Sequence, residues 1–314
     1  MSKVQTPAVN YYPKKATAHK AGLLEIASST EVAAGLDTER VVTPATLYSG
    51  VSPHIATASQ TRTGTSTTTL VSPADVTALK YYTDITFSQN PILQTALTTG
   101  GVPTGATGDT NLMMCQSGEV MQQFVLGAGQ SIIAPRLEAD GLLISGDPTN
   151  TEGFEYNFGV LASNKHAYTV GTSGAISFSV KLKIADVTGA EPIYIGFRKQ
   201  EANNANYTAY TDFAFIGVQE SKTSAKITIA TNLNGAGAVW KNTTDAWVDD
   251  AVKTLTVNVS AAGVVSFLID GIAPTATQAF SFDATDVITP CIHFLHGVGA
   301  PGAIHLVSLK AGLQ

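Results

Sequence analysis

The chain is poor in charge. Asp, Glu, Lys and Arg make up 13% of its 314 residues, against about 25% in an ordinary soluble domain, and Thr, Ala, Gly and Ser take their place. Such a surface suits extended structures whose faces are covered by neighbouring subunits. The balance of 18 basic and 24 acidic side chains, formally −6, serves solubility and disfavours nucleic acid as a partner. Cysteine is almost missing: Cys115 and Cys291 are too few for a disulfide framework and read as thiols. No apolar run approaches the roughly 18 residues of a membrane span, and residues 1–20 lack the apolar stretch of a secretory signal. The expectation is a protein assembled in a cytoplasm and released by lysis, whose sequons at Asn206, Asn242 and Asn258 carry no glycosylation meaning.

Catalytic signatures are also missing. There is no GxSxG, HExxH, P-loop, CxxC or supported pair of carboxylates, so no enzyme is expected and no catalytic residue is assigned. His293 and His296 stand three apart in a strand-like run, a spacing that sends them to opposite faces rather than to one metal. Asp245, Asp249 and Asp250, with Asp283 and Asp286, place oxygen ligands in loop-like stretches. Calcium is conceivable there, but the twelve-residue calcium-loop pattern is absent, and no metal or other cofactor is assigned.

What the chain does have is a repeat. Residues 22–47 recur in degenerate form at 53–79, with Ile26, Ala27, Gly35, Val42, Thr43 and Pro44 falling on Ile55, Ala56, Gly64, Val71, Ser72 and Pro73 at one offset of 29 residues. A constant offset over six pairs marks a modular array. In the first unit a short helix is expected, capped by Thr30, running Glu31–Ala34 and ended by Gly35. Val41 and Val42 follow as extended chain, and Thr43 with Pro44 opens a second helix, a device repeated by Ser72 and Pro73. Helices this short are marginal alone, so other chains must complete the packing.

These residues carry a resemblance. Gly22, Glu25, Ile26, Ala27, Glu31, Gly35, Asp37, Arg40, Val41, Val42, Thr43, Pro44 and Leu47 resemble the short repeat of tailed-bacteriophage fibre proteins. Ser28 and Leu36 depart from the usual Thr, and the second copy has Ser66 and Thr69 where Asp and Arg are usual. The likeness covers roughly residues 20–80. It implies a homotrimeric virion appendage whose shared core would include Ile26, Val32, Val41, Val42, Leu47, Val71 and Val76. Residues 1–20 then read as an attachment arm: Lys3, Lys14, Lys15 and Lys20 meet no acid before Glu25 and suit either a solvated tail or docking on other virion proteins.

Residues 81–117 read as a connector ending in the Gly/Thr/Pro stretch TTGGVPTGATGDT, the expected domain boundary. From 118 to 314 the pattern becomes alternation and turns. Strands are expected at 175–184, 192–197, 212–218, 225–230, 254–260, 264–270, 291–296 and 304–309, punctuated by Ala262-Gly263 and Asp270-Gly271. The fold class is therefore mainly β, an antiparallel sandwich behind an arm and short-helix repeats. Its closing strands are similar to those of concanavalin-like lectin and laminin-G jelly rolls, which implies the fold alone.

Aromatics supply the binding reading. Trp240 and Trp247 flank the stretch KNTTDA, while Tyr207 and Tyr210 lie in an Asn-rich stretch. Rings beside amides and carboxylates suit a sugar, whose C–H face stacks while its hydroxyls take the polar groups. The expected function is thus a virion fibre projecting a sandwich toward host-surface polysaccharide. The alternative is a head fibre or capsid decoration with no receptor role.

Overall fold

The computed structural model describes residues 26–34, 83–87, 92–95, 110–115, 120–126, 135–145, 152–158, 166–219, 221–222, 226–296 and 302–314. The chain divides into two units, Met1–Val76 and Thr77–Gln314.

The described part of the first unit is one short helix, α1 (Ser29–Ala34). Its cap is Ser28, one turn before the hydrophobic positions, and not Thr30. The Ser28 amide donates to the Glu31 carboxylate at 2.9 Å, and the Glu31 amide donates back to Ser28 Oγ at 3.3 Å. This reciprocal pair satisfies two helix-end donors at once. Of the residues expected in a trimer core, Ile26 is 61% exposed and Val32 half-buried. Val41, Val42, Leu47, Val71 and Val76 lie outside the described residues, as does the Thr43–Pro44 turn.

The second unit is antiparallel β throughout its described length. In chain order its strands are β1 (Thr83–Thr86), β2 (Ile92–Thr95), β3 (Thr110–Met114), β4 (Val120–Leu126), β5 (Arg136–Glu138), β6 (Gly141–Leu143), β7 (Gly153–Asn157), β8 (Tyr168–Thr169) and β9 (Ile176–Ile184). There follow β10 (Ala190–Lys199), β11 (Phe213–Val218), β12 (Lys226–Asn232), β13 (Val239–Ala246), β14 (Val252–Val259), β15 (Val265–Ile269), β16 (Val287–His296) and β17 (Ile304–Leu313). One sheet runs β15, β14, β9, β17, β6, β5, with β1 also on β17. The other runs β13, β12, β11, β10, β16, β7, β4, β3, β2, with β8 also on β16. Their inner faces share one core: Phe178, Val180, Leu182, Val257 and Leu309 of the first sheet meet Ile195, Phe197, Ile216, Ile229 and Ile292 of the second.

Local sequence explains how each sheet is covered. β9 alternates, burying Ile176, Phe178, Val180, Leu182 and Ile184 while Ser177, Ser179, Lys181 and Lys183 face outward. β10 and β11 do not alternate; from Pro192 to Arg198 and across Phe213–Val218 every residue is buried. Strands with such continuous apolar runs are covered on both faces. The Asp270-Gly271 pair closes a two-residue hairpin turn. Both have positive φ, 51° and 84°, and Ile269 and Ile272 exchange backbone hydrogen bonds across it at 2.8 and 3.0 Å.

The expected boundary before residue 118 is corrected. β1 pairs with β17 in the register Thr83↔Ala311, and β2 and β3 extend the larger sheet beyond β4. The Gly/Thr/Pro stretch thus falls between two antiparallel partners, Ile92↔Met114 to Thr95↔Asn111. Turn-forming composition marks a hairpin connection as readily as a domain linker. A second correction concerns Asp245, expected in a loop-like stretch but placed on β13.

Candidate functional site

Strand register decides which side chains share the outer face of the larger sheet. One row across it is Trp240, Ala230, Phe215, Gly196, Cys291, Asn157 and Gln122. The next is Asn242, Thr228, Gly217, Tyr194, His293, Glu155 and Phe124. Over this face the chain lays the segment between β10 and β11, with a single 3-10 turn at Tyr207–Ala209. Asn206 caps that turn by accepting the Thr208 amide at 3.1 Å. Tyr207 and Tyr210 point down and form a buried cluster with Tyr194, Phe213, Phe215, Ala230 and Cys291.

A charged network lies under the segment. Arg198 and Glu155 pair at 2.8 Å with both side chains fully buried. The Tyr210 hydroxyl donates to Glu155 Oε2 at 2.7 Å, and His293 Nδ1 lies 3.4 Å from the same oxygen. The guanidinium also donates to the carbonyls of Lys199 and Glu201 and, at 2.6 Å, to Asn203 Oδ1. Burial pushes against the charge on Glu155, but Arg198, His293 and Tyr210 outweigh it and hold the carboxyl down to about 2. Burial and the neighbouring Glu155 push the Tyr210 hydroxyl far up. The network is sealed from solvent, with His293 Nε2 buried and without a hydrogen-bond partner, and it holds the segment down.

Beside the covered region the surface opens into a groove of about 500 Å³. Trp240, Lys222, Glu191, Asn206, Thr208 and Gln219 are among its lining residues, with Tyr207, Pro192 and Leu295. Trp240 Nε1 donates to Tyr207 Oη at 2.9 Å, and Tyr207 Oη donates to Gln219 Oε1 at 2.8 Å. Gln219 Nε2 in turn donates to Glu191 Oε1 at 2.7 Å. The Ser221 amide donates to Glu191 Oε2 at 2.6 Å, and its hydroxyl donates to Oε1. Burial pushes the Tyr207 phenol up to about 12, so it remains a donor at neutral pH. Lys222 Nζ stands 3.8 Å from the centre of the Trp240 ring, within cation–π range.

The four rings expected to stack on a sugar therefore separate. Tyr207, Tyr210 and Trp247 are 3%, 0% and 1% exposed, which closes their faces to any ligand. Trp247 is not even in the same cluster: it packs in the core between the sheets and donates its indole N–H to the Ala251 carbonyl at 2.9 Å. The Asn-rich segment reads as an exposed loop, yet its tyrosines are what anchors it. Trp240 alone of the four is half-exposed, in the groove. Lys222, Glu191 and Gln219 had no sequence signal, since they sit at strand ends and in the turn after β11 and are joined only by folding.

The acidic and histidine positions do not converge. Asp249 accepts the Val187 amide at 2.8 Å, Asp250 pairs with Lys183, Asp283 with Asn234, and Asp286 with Lys199 at 2.6 Å. Asp245 lies on β13. His293 is buried in the network described, and His296 closes β16. Among the described residues no three of His, Cys, Asp and Glu gather as a metal-holding group.

No protein-family model matches the chain, and no curated protein matches its sequence. Solved structures do resemble it. The Emp46p carbohydrate recognition domain in its potassium-bound form is 10% identical with a TM-score of 0.42, over 60% of this chain and 88% of that one. The legume lectin-like domain from Entamoeba histolytica is 10% identical with a TM-score of 0.42, over 61% and 90%. An alginate lyase from Pseudomonas aeruginosa is 13% identical with a TM-score of 0.41, over 59% and 88%. The likeness is partial and concerns strand arrangement, and no ligand is carried over from it.

Proposed function

We propose that the protein is a trimeric virion appendage of a tailed bacteriophage, attached near its N-terminus, whose β-sandwich binds host-surface glycan in the Trp240 groove. The observation that carries the binding reading is the groove itself. A half-exposed indole stands among fixed hydrogen-bonding groups, Gln219, Glu191, Asn206 and Thr208, at the scale of one or two sugar rings. Catalysis is not proposed: the acid–base groups Arg198, Glu155, His293 and Tyr210 lie buried beneath the segment between β10 and β11. The virion reading rests on the fibre-type repeat, with Ile26 exposed at 61% as an apolar side chain for a partner chain to cover.

A glycan array probed with the intact protein tests the binding half, with Trp240→Ala as the site control. Absence of binding to any glycan, together with normal infection by particles lacking the protein, would favour the decoration reading. Light scattering tests the assembly half: about three times 32.6 kDa is expected, and Val42→Asp should dissociate it. A monomer at micromolar concentration would exclude the trimer.

A further inference from the structure

The groove also holds information about which saccharide it would accept. Trp240 packs against the buried cluster of Tyr207 and its neighbours. The Lys222 ammonium lies over the Trp240 ring, 3.8 Å from its centre, and both residues line the groove. A sugar stacking there must move that ammonium. For a neutral hexose this is a loss, since the cation leaves the indole and gains only hydroxyls. For a sugar bearing a carboxylate the ammonium moves from ring to anion while the C–H face takes its place.

A fixed anion limits how much negative charge can enter. Among the described lining residues Glu191 is the one anion and Lys222 the one cation. The Glu191 carboxylate is fixed in place by Gln219 and by both donors of Ser221. Held there by the residue that precedes Lys222, it offsets part of the ammonium's charge and repels a second negative group. Phosphate- or sulfate-dense chains, with two or more charges per ring, would meet that repulsion directly. Net charge of −6 across the chain acts in the same sense.

We infer that the groove selects saccharides carrying one carboxylate per recognised residue, of the uronic acid type, with Lys222 as the specificity-determining residue. This rests on the glycan reading above. The test compares one oligogalacturonate with the same oligosaccharide after its carboxyls are reduced to alcohols, titrated by calorimetry into the full-length protein. The acidic form should bind about ten-fold more tightly at low salt, and raising NaCl from about 0.05 to 0.5 M should shrink that ratio. Lys222→Gln should bring the two affinities together, and Lys222→Arg should preserve the preference. Equal or tighter binding of the reduced sugar would overturn the inference and leave the glycan reading standing. Binding of neither form, with no other glycan bound on the array, would overturn both. A preference that survives Lys222→Gln would also overturn it, by placing the selective charge elsewhere.

Discussion

Arg198 reaches Glu155 at 2.8 Å across an intervening strand: β16 separates β10 from β7, and the small side chain of Cys291 lies in the row between them. The pair is a clamp rather than a bystander, because it also bonds the segment that covers it. Arg198 holds the Lys199 and Glu201 carbonyls and Asn203, and Glu155 holds Tyr210. Removing one partner strands the other charge without water. Arg198→Met should therefore cost about 3–5 kcal/mol in urea unfolding. The double variant Arg198→Met, Glu155→Leu should cost less than the sum of the two single changes. Additive losses would show that the two side chains do not stabilise one another.

Acid should loosen the same clamp. The folded Glu155 carboxyl titrates at about 2, below its ordinary value of 4.5. A group depressed in this way contributes stability above its unfolded value and loses it as pH falls toward the folded one. The contribution is on the order of 3 kcal/mol, present at pH 5 and above and fading between about 4.5 and 2. Melting temperature followed from pH 6 to pH 2 should fall over that window. In Glu155→Gln, which starts from a lower melting temperature, the slope over the same window should be shallower.

A test of sheet geometry comes from two glycines. A Cβ on Gly217 would lie 1.9 Å from the Ile193 carbonyl oxygen on the neighbouring strand, a clash with backbone that no side-chain movement relieves. Gly235 has φ +68° and open space around its missing Cβ. Gly217→Ala should thus cost at least about 1–3 kcal/mol through overpacking. Gly235→Ala should cost about 1 kcal/mol through backbone strain alone. Equal melts would mean that β10 and β11 do not approach as closely as the register requires.

The smaller sheet was the more legible half of the fold. β9 exposes one face to water, so alternation marks it residue by residue. β10, β11 and β16 were recognisable as strands, but their continuous apolar runs carried a second message, that something covers the outer face as well. That cover is an Asn-rich segment without large aliphatics, whose only sign is Tyr207 and Tyr210. Most of the strands from β1 to β8 are short, and pairing with residues as distant as Ala311 leaves no local trace. The groove was legible through Trp240 alone. Lys222 and Glu191 enter it because β10 and β11 pair so that the start of one meets the end of the other, Ile193 opposite Val218.

The two tryptophans, equivalent in the sequence, should separate in the laboratory. Trp247 is 1% exposed within the inter-sheet core, and deleting its ring leaves a cavity that neighbouring strands cannot close. Trp247→Ala should cost about 3–5 kcal/mol and lower the melt without any specific effect on ligand. Trp240 is half-exposed at the groove, anchored by its indole bond to Tyr207. Trp240→Ala should weaken oligosaccharide binding by about 1–3 kcal/mol, the range for an aromatic anchor, while the cooperative melt persists. Trp240→Phe supplies the finer distinction, since it keeps an aromatic face for the sugar and removes the N–H donated to Tyr207. Binding retained in Trp240→Phe and lost in Trp240→Ala assigns the affinity to stacking. Binding lost equally in both assigns it to the hydrogen-bonded chain through Tyr207, Gln219 and Glu191, and the indole would then be a strut of the groove wall instead of its contact surface.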